Sequence, residues 1–152
     1  MRLTDILHQE AVKADLTAER KKDVLEELCS LVAEKEGLEL EPLLQVLLER
    51  EKLGSTGITD GIAIPHGKSS DIDKILVAFG RSGSGIDFDS MDGGPAYLFF
   101  LILAPMNSTT VHLKVLAKIS RLLKDPVLRK ELNEAKDSLA IYKLISERDS
   151  DF

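Results

Sequence analysis

Two nearly unbroken apolar runs constrain this chain most: ILVAF at residues 75–79 and AYLFFLIL at residues 96–103. A strand with one wet face alternates polar and apolar residues, because successive side chains point to opposite sides. Runs without that alternation suit strands covered on both faces. A third β-like run, IAI, precedes them at residues 62–64. Between the two long runs, SGSGIDFDSMDGG is rich in turn residues, with Ile86 and Phe88 alternating as in a short edge strand.

Helical patterns supply the cover. Val24, Leu25, Leu28, Leu31 and Val32 recur at helical spacing, which predicts an amphipathic helix over 17–36 ended by Gly37. Thr17 is its expected N-cap, with Glu19 in the first turn. Pro42 suits the first turn of a second helix that stops before Gly54. Downstream, Ser108 or Thr109 starts a helix ending near Lys124, Asp125-Pro126 starts the next, and Ser138 caps LAIYKLISER. The expected fold class is therefore α/β: a single domain over residues 1–152, with a mixed central sheet flanked by helices on both faces.

Composition removes several alternatives. A chain of roughly 150 residues buries about 70% of its unfolded surface, so it needs no disulfide or structural metal. The lone Cys29 can form neither an intrachain disulfide nor a four-ligand Cys/His zinc site, and points to a reducing cytoplasm. It sits beside Leu28 in a helical pattern where a small buried residue is expected. A net charge of −6 argues against nonspecific nucleic-acid binding. The N-terminal stretch is too polar for a signal peptide, and YLFFLILA is far shorter than the roughly 20 residues that span a membrane. A soluble protein is expected.

GIAIPHGKS, residues 61–69, holds two competing motifs. A phosphate loop needs a glycine five residues before Gly67, but that position is Ile62; Gly61 is one residue too early. SSDIDKILVAF then runs into a strand, with no helix N-terminus to hold phosphates, and Pro65 has no N–H to give. The Pro-His-Gly half stands better. Pro65 directs the chain along a defined path, and Gly67 removes a side chain beside the imidazole, leaving room for a ligand or partner. Taken alone, His66 suits a nucleophile, a general base, a metal ligand or a packed core residue.

His112 lies in the first turn of TTVHLKVLAKISRLL, with Val115, Leu116 and Ile119 on the same inward face. The helix N-terminus there exposes unpaired N–H groups that attract an anion and favour a neutral imidazole. A core histidine bonded to a backbone carbonyl is the alternative. A metal site from His66 and His112 lacks motif spacing and an acidic third ligand, so no metal is expected. His8, isolated in the N-terminal segment, carries no functional signal.

The run REKLGSTGITDGIAIPHGKS from Arg50 resembles the signature of the enzyme IIA domain of the bacterial phosphoenolpyruvate-dependent phosphotransferase system, in its fructose/mannitol/nitrogen class. The helix-rich start and the APMNSTTVHLKVLAKISRLL segment extend the similarity over nearly the whole chain, and the Gly-Ser-Thr-Gly-Ile wording is most similar to the nitrogen-regulatory branch. Thr59-Asp60 departs from a pair that usually begins with Gly, so the resemblance does not carry over the turn there.

The resemblance implies that His66 accepts a phosphoryl group on Nε2 from the phosphohistidine of the small carrier protein HPr. It implies that His112 is the second active-site histidine and that Arg50 neutralises phosphoryl charge. Ser55, Thr56 and Gly67 would neighbour the phosphate, Ser55 and Thr56 being equally explained by turn chemistry; Lys68 reads as a solvated charge at the rim. A shallow, partly apolar surface is expected around His66 for docking. No cofactor is implied. Two destinations stay open, a IIB domain feeding sugar uptake or a regulatory target docked according to phosphorylation state. These 152 residues hold neither a IIB nor a membrane-spanning IIC domain. A degenerate member kept for structure alone is a third reading, against which the intact His66, His112 and Arg50 stand.

Overall fold

In the computed structural model, which describes residues 1–152, the chain begins with two short 3-10 turns and β1 (Val12–Lys13). Then come α1 (Lys21–Glu36), α2 (Leu40–Lys52), β2 (Ile62–Ala63), β3 (His66–Ser69), β4 (Leu76–Ile86) and β5 (Ala96–Pro105). The helices α3 (Thr109–Leu123), α4 (Pro126–Glu134) and α5 (Ser138–Arg148) close it.

The two long apolar runs form the antiparallel pair β4–β5 at the middle of the sheet. β1 lies parallel to β4 on one side, and β2 and β3 lie parallel to β5 on the other, so the sheet is mixed. Both faces are covered, as the missing alternation requires. Leu76, Ala78, Phe99, Leu101 and Leu103 share one core with α1 and α2. Their neighbours Val77, Phe79, Leu98, Phe100 and Ile102 share the other with α3, α4 and α5. No helix is long and apolar enough to cross a membrane.

β2 and β3 are one line of chain broken at Ile64-Pro65. Ile62 stands opposite Leu98 and His66 opposite Ile102, in the same register. The proline cannot donate to the ladder, but its carbonyl accepts from the Ile102 N–H at 2.9 Å. His66 therefore opens a strand instead of following one.

Several local expectations give way to longer-range partners. The first helix starts at Lys21, not Thr17, because the Glu27 carboxylate reaches back to accept from the Thr17 and Ala18 N–H groups at 2.9–3.1 Å. Those donors gain a charged acceptor as extended chain, which offsets the helical turn they give up. Its end is as expected: Gly37 takes the left-handed conformation at φ 66, and the Leu38 N–H donates to the Ala33 carbonyl. Asp125 caps α4 through the Val127 N–H. The cap of α5 is Asp137, not Ser138, whose hydroxyl instead accepts from the Ala14 N–H at 3.0 Å. The separate edge strand is absent. β4 itself runs on through a register shift to Ile86, which pairs with Ala96, and Phe88 packs edge-on against Phe99 at 5.5 Å. Cys29 is fully buried, and burial pushes its thiol up to about 12.

Candidate functional site

His66, Gly67 and Lys68 of β3, Val46, Glu49 and Arg50 of α2, Leu53 and His112 of α3 line one open cleft of about 570 Å³. Three elements far apart in sequence thus bring the two histidines and the arginine together. The imidazole centroids of His66 and His112 lie 5.4 Å apart, with the rings nearly perpendicular at 85°.

The His66 ring is held by its own chain: Nδ1 lies 2.7 Å from the Ile64 carbonyl oxygen. A carbonyl only accepts, so Nδ1 carries the hydrogen, and in the neutral ring Nε2 is left with its lone pair. The extended Ile64-Pro65 path makes this contact possible, because it folds the ring of His66 back over the preceding strand residue. Burial lowers the His66 pKa below the ordinary histidine value. The Ile64 bond works the other way, Arg50 lowers it further, and Glu51 raises it.

His112 is the fourth residue of α3, and its backbone N–H closes the first turn on the Ser108 carbonyl at 2.9 Å. Its side chain is buried, and its Nδ1 has no hydrogen-bond partner in the protein. A buried donor or acceptor without a partner is uncommon and costly in a core. The carbonyl-bonded core histidine is therefore not what forms. Burial lowers the His112 pKa first, with His66 and Lys68 adding to it.

Arg50 is half-buried at the C-terminal turn of α2 and donates Nη1–H to the Gly54 carbonyl at 2.9 Å. Its other guanidinium N–H groups have no protein acceptor. The loop beyond it is pinned by Glu51, which accepts from the Thr56 N–H at 3.1 Å and from the Thr56 hydroxyl, and pairs with Lys21 at 3.0 Å. Glu51 had no sequence signal, since its cationic partner stands on the preceding helix. Ser55 donates to the Phe88 carbonyl and accepts from the Gly57 N–H. Both hydroxyls are thus engaged, Ser55 with Phe88 and Thr56 with Glu51, and neither residue lines the cleft.

Two readings of the motif change. A Cβ on Gly67 would meet Val46 Cγ1 at 2.6 Å, so the glycine admits α2 as well as lining the cleft. Lys68 is half-buried instead of solvated, and its Nζ donates to the Thr109 hydroxyl in the first turn of α3. The Thr59-Asp60 departure is absorbed: Asp60 takes the left-handed conformation at φ 59, which aspartate tolerates, and Thr59 keeps a negative φ. Around the cleft, Leu53 is 85% exposed, and Met106, Val111 and Leu113 are exposed where β5 leads into α3. No three His, Cys, Asp or Glu side chains come together in a group that could hold a metal ion.

The depressed histidines have a consequence for stability. An unfolded histidine titrates near 6.5. Below that pH the unfolded chain binds protons that folded His66 and His112 still refuse, so stability falls as pH drops through about 6.5 and levels off beneath the folded values. Denaturant midpoints at pH 7.5 and 5.5 should show this drop, and a His66→Gln/His112→Gln variant should lose most of it.

The class the fold and cleft define is a three-layer α/β domain with a half-buried, carbonyl-locked histidine beside a second histidine and an arginine. The model of the family described as phosphoenolpyruvate-dependent sugar phosphotransferase system, EIIA 2, matches residues 5–148, and the chain belongs to that family. A nitrogen regulatory protein of Bradyrhizobium diazoefficiens is 44% identical, covering 96% of this chain and 95% of that one. The fructose-specific EIIABC component of the phosphotransferase system of Bacillus subtilis is 36% identical over 98% of this chain, which spans 24% of that protein. The crystal structure of the nitrogen regulatory protein IIA-Ntr from Neisseria meningitidis superposes with a TM-score of 0.88 at 31% identity, covering 94% of this chain and 98% of that one.

Proposed function

We propose that this protein is a phosphocarrier: His66 takes a phosphoryl group on Nε2 from a phosphohistidine carrier of the HPr type, then passes it on or displays it as a switch. The observation that carries this reading is the 2.7 Å lock of Nδ1 on the Ile64 carbonyl, which presents an unprotonated Nε2 beside Arg50 and His112. In the step, the Nε2 lone pair attacks phosphorus and forms the new N–P bond. The donor's N–P bond breaks, and its electron pair returns to the donor imidazole. Such transfers ask chiefly for positioning and charge stabilisation. The free guanidinium N–H groups of Arg50 and the first turn of α3 supply the charge, and His112, kept neutral by burial, offers a donor without a competing positive ring. The exposed Leu53, Met106 and Leu113 give a carrier protein an apolar rim to dock on.

Incubation with phospho-HPr should give an acid-labile, base-stable label; no label sinks the reading. Arg50→Ala should slow labelling by roughly 10²–10³-fold in a rapid-quench assay, the usual effect of losing one preorganised charge-stabilising donor. A slowing below about threefold would remove Arg50 from the role.

For the destination, the 44% identity along almost the full length to a nitrogen regulatory protein favours the regulatory switch. A phosphohistidine adds a charge of about −1.5 to −2, by analogy with other phosphoresidues, at the centre of the docking rim. The match to part of a fructose-specific EIIABC component supports the second reading, transfer to a IIB domain for sugar uptake. Onward transfer to a purified IIB domain selects the second. Its absence, beside phosphorylation-sensitive capture of a regulatory protein, selects the first.

A further inference from the structure

A second concentration of positive charge lies on the C-terminal half of α3, away from the two histidines. Lys118 is only 6% exposed, yet no carboxylate lies within ion-pair distance of its ammonium. Its Nζ donates to the carbonyl and hydroxyl oxygens of Ser150, at 3.0 and 2.6 Å. The Phe152 ring lies 5.5 Å from it. Neutral partners alone leave a buried cation poorly compensated, because desolvation of a charge costs more than dipoles of this kind return. One turn further along the same face, exposed Arg121 makes no ion pair and no side-chain hydrogen bond within the protein. Both line a pocket of about 260 Å³ together with Leu122, Leu128 and Arg148.

We propose that the pocket formed by Lys118, Arg121, Leu122, Asp125, Leu128 and Arg148 binds a small organic phosphate. The charges facing it are three cations and one acid. Asp125 is already committed, capping α4 and pairing with Arg148 at 2.6 Å, while Glu131 holds the other arm of Arg148 at 2.8 Å. Arg148 is thereby held rigid, and Lys118 and Arg121 remain to neutralise a dianion. A guanidinium fork with a buried ammonium suits phosphate oxygens, and the two lining leucines accept a short carbon chain. The volume sits at the lower edge of ligand pockets and limits the guest to a few heavy atoms beyond the phosphate. The Ser150 contacts act as a stand-in that the phosphate displaces. Ser150 is fastened on both sides, by Asp149 accepting from the Leu3 and Thr4 N–H groups at 3.0 and 2.9 Å and by the Phe152 N–H donating to the Met1 carbonyl at 2.9 Å, so its hydroxyl can rotate away from Lys118 while the backbone stays in place. Lys118 and His112 stand on the same helix, about 9 Å apart along its axis, and the two pockets share no lining residue.

The test is a titration of the full chain with inorganic phosphate at fixed ionic strength, read by backbone amide shifts. Saturable shifts at Leu122, Arg148 and Ser150 are expected, with half-saturation below about 10 mM, weaker than a specific metabolite because only the phosphate is present. Arg121→Gln, at an exposed position that supports no internal contact, should weaken binding by at least about fivefold. Lys118→Met should abolish it. His66→Ala should leave it unchanged, which separates this pocket from the histidine cleft. Absence of saturation by about 50 mM, an unchanged response in Arg121→Gln, or shifts confined to His66, Gly67 and His112 would each overturn the proposal.

Discussion

His66→Ala should abolish phosphoryl acceptance completely while leaving the protein folded. The imidazole is the only group in the cleft that pairs a fixed tautomer with a free lone pair, and no neighbouring side chain can take over the attack. His112 is the nearest candidate, but its Nδ1 is buried and no hydrogen bond fixes its tautomer. Removing one half-buried ring and its bond to Ile64 should cost about 1 kcal/mol, since the freed carbonyl is close enough to the cleft to be hydrated. Loss of label with a denaturation midpoint lowered by no more than that small cost would place the defect in chemistry; label retained at wild-type level would move the acceptor elsewhere.

Phe100→Ala should have the largest effect on stability, about 3–5 kcal/mol. The residue is fully buried at the centre of β5 and packs edge-on against Phe79 at 5.0 Å. Its cavity would open in the core beneath α3, α4 and α5, where no flexible loop can collapse to fill it. Against a total of about 5–15 kcal/mol for a domain, such a loss is a large fraction. The denaturant midpoint should fall sharply with little change in slope, whereas Leu53→Ala, 85% exposed, should barely move it. A shift of less than about 1 kcal/mol for Phe100→Ala would contradict the two-sided burial of β5.

The layered fold could be read from two stretches, since ILVAF and YLFFLIL leave no polar face for water. Gly37 and the Asp125-Pro126 pair were also legible, because their effects are local. What the sequence hid depends on distant partners. β3 is spelled His-Gly-Lys-Ser, a poor strand by propensity, and becomes one because it continues the register of β2 along β5. β1 has two residues and no pattern at all. Thr17 has the chemistry of a cap, but Glu27, ten residues on, takes its N–H instead. In the cleft, the motif pointed to His66 and Arg50, and the helical face pointed to His112. The roles of Glu51, Lys68 and Val46 could not be read, since each is defined by contact with an element remote in sequence: Lys21 on α1, Thr109 on α3, and Gly67 on β3.

The most direct test of the central claim is to phosphorylate the protein with phospho-HPr and locate the phosphate by 31P and imidazole 15N NMR. The account predicts one phosphohistidine, on Nε2 of His66, because the Ile64 carbonyl occupies the Nδ1 hydrogen at 2.7 Å. Phosphate on Nδ1 of His66, or on any other residue, would contradict it.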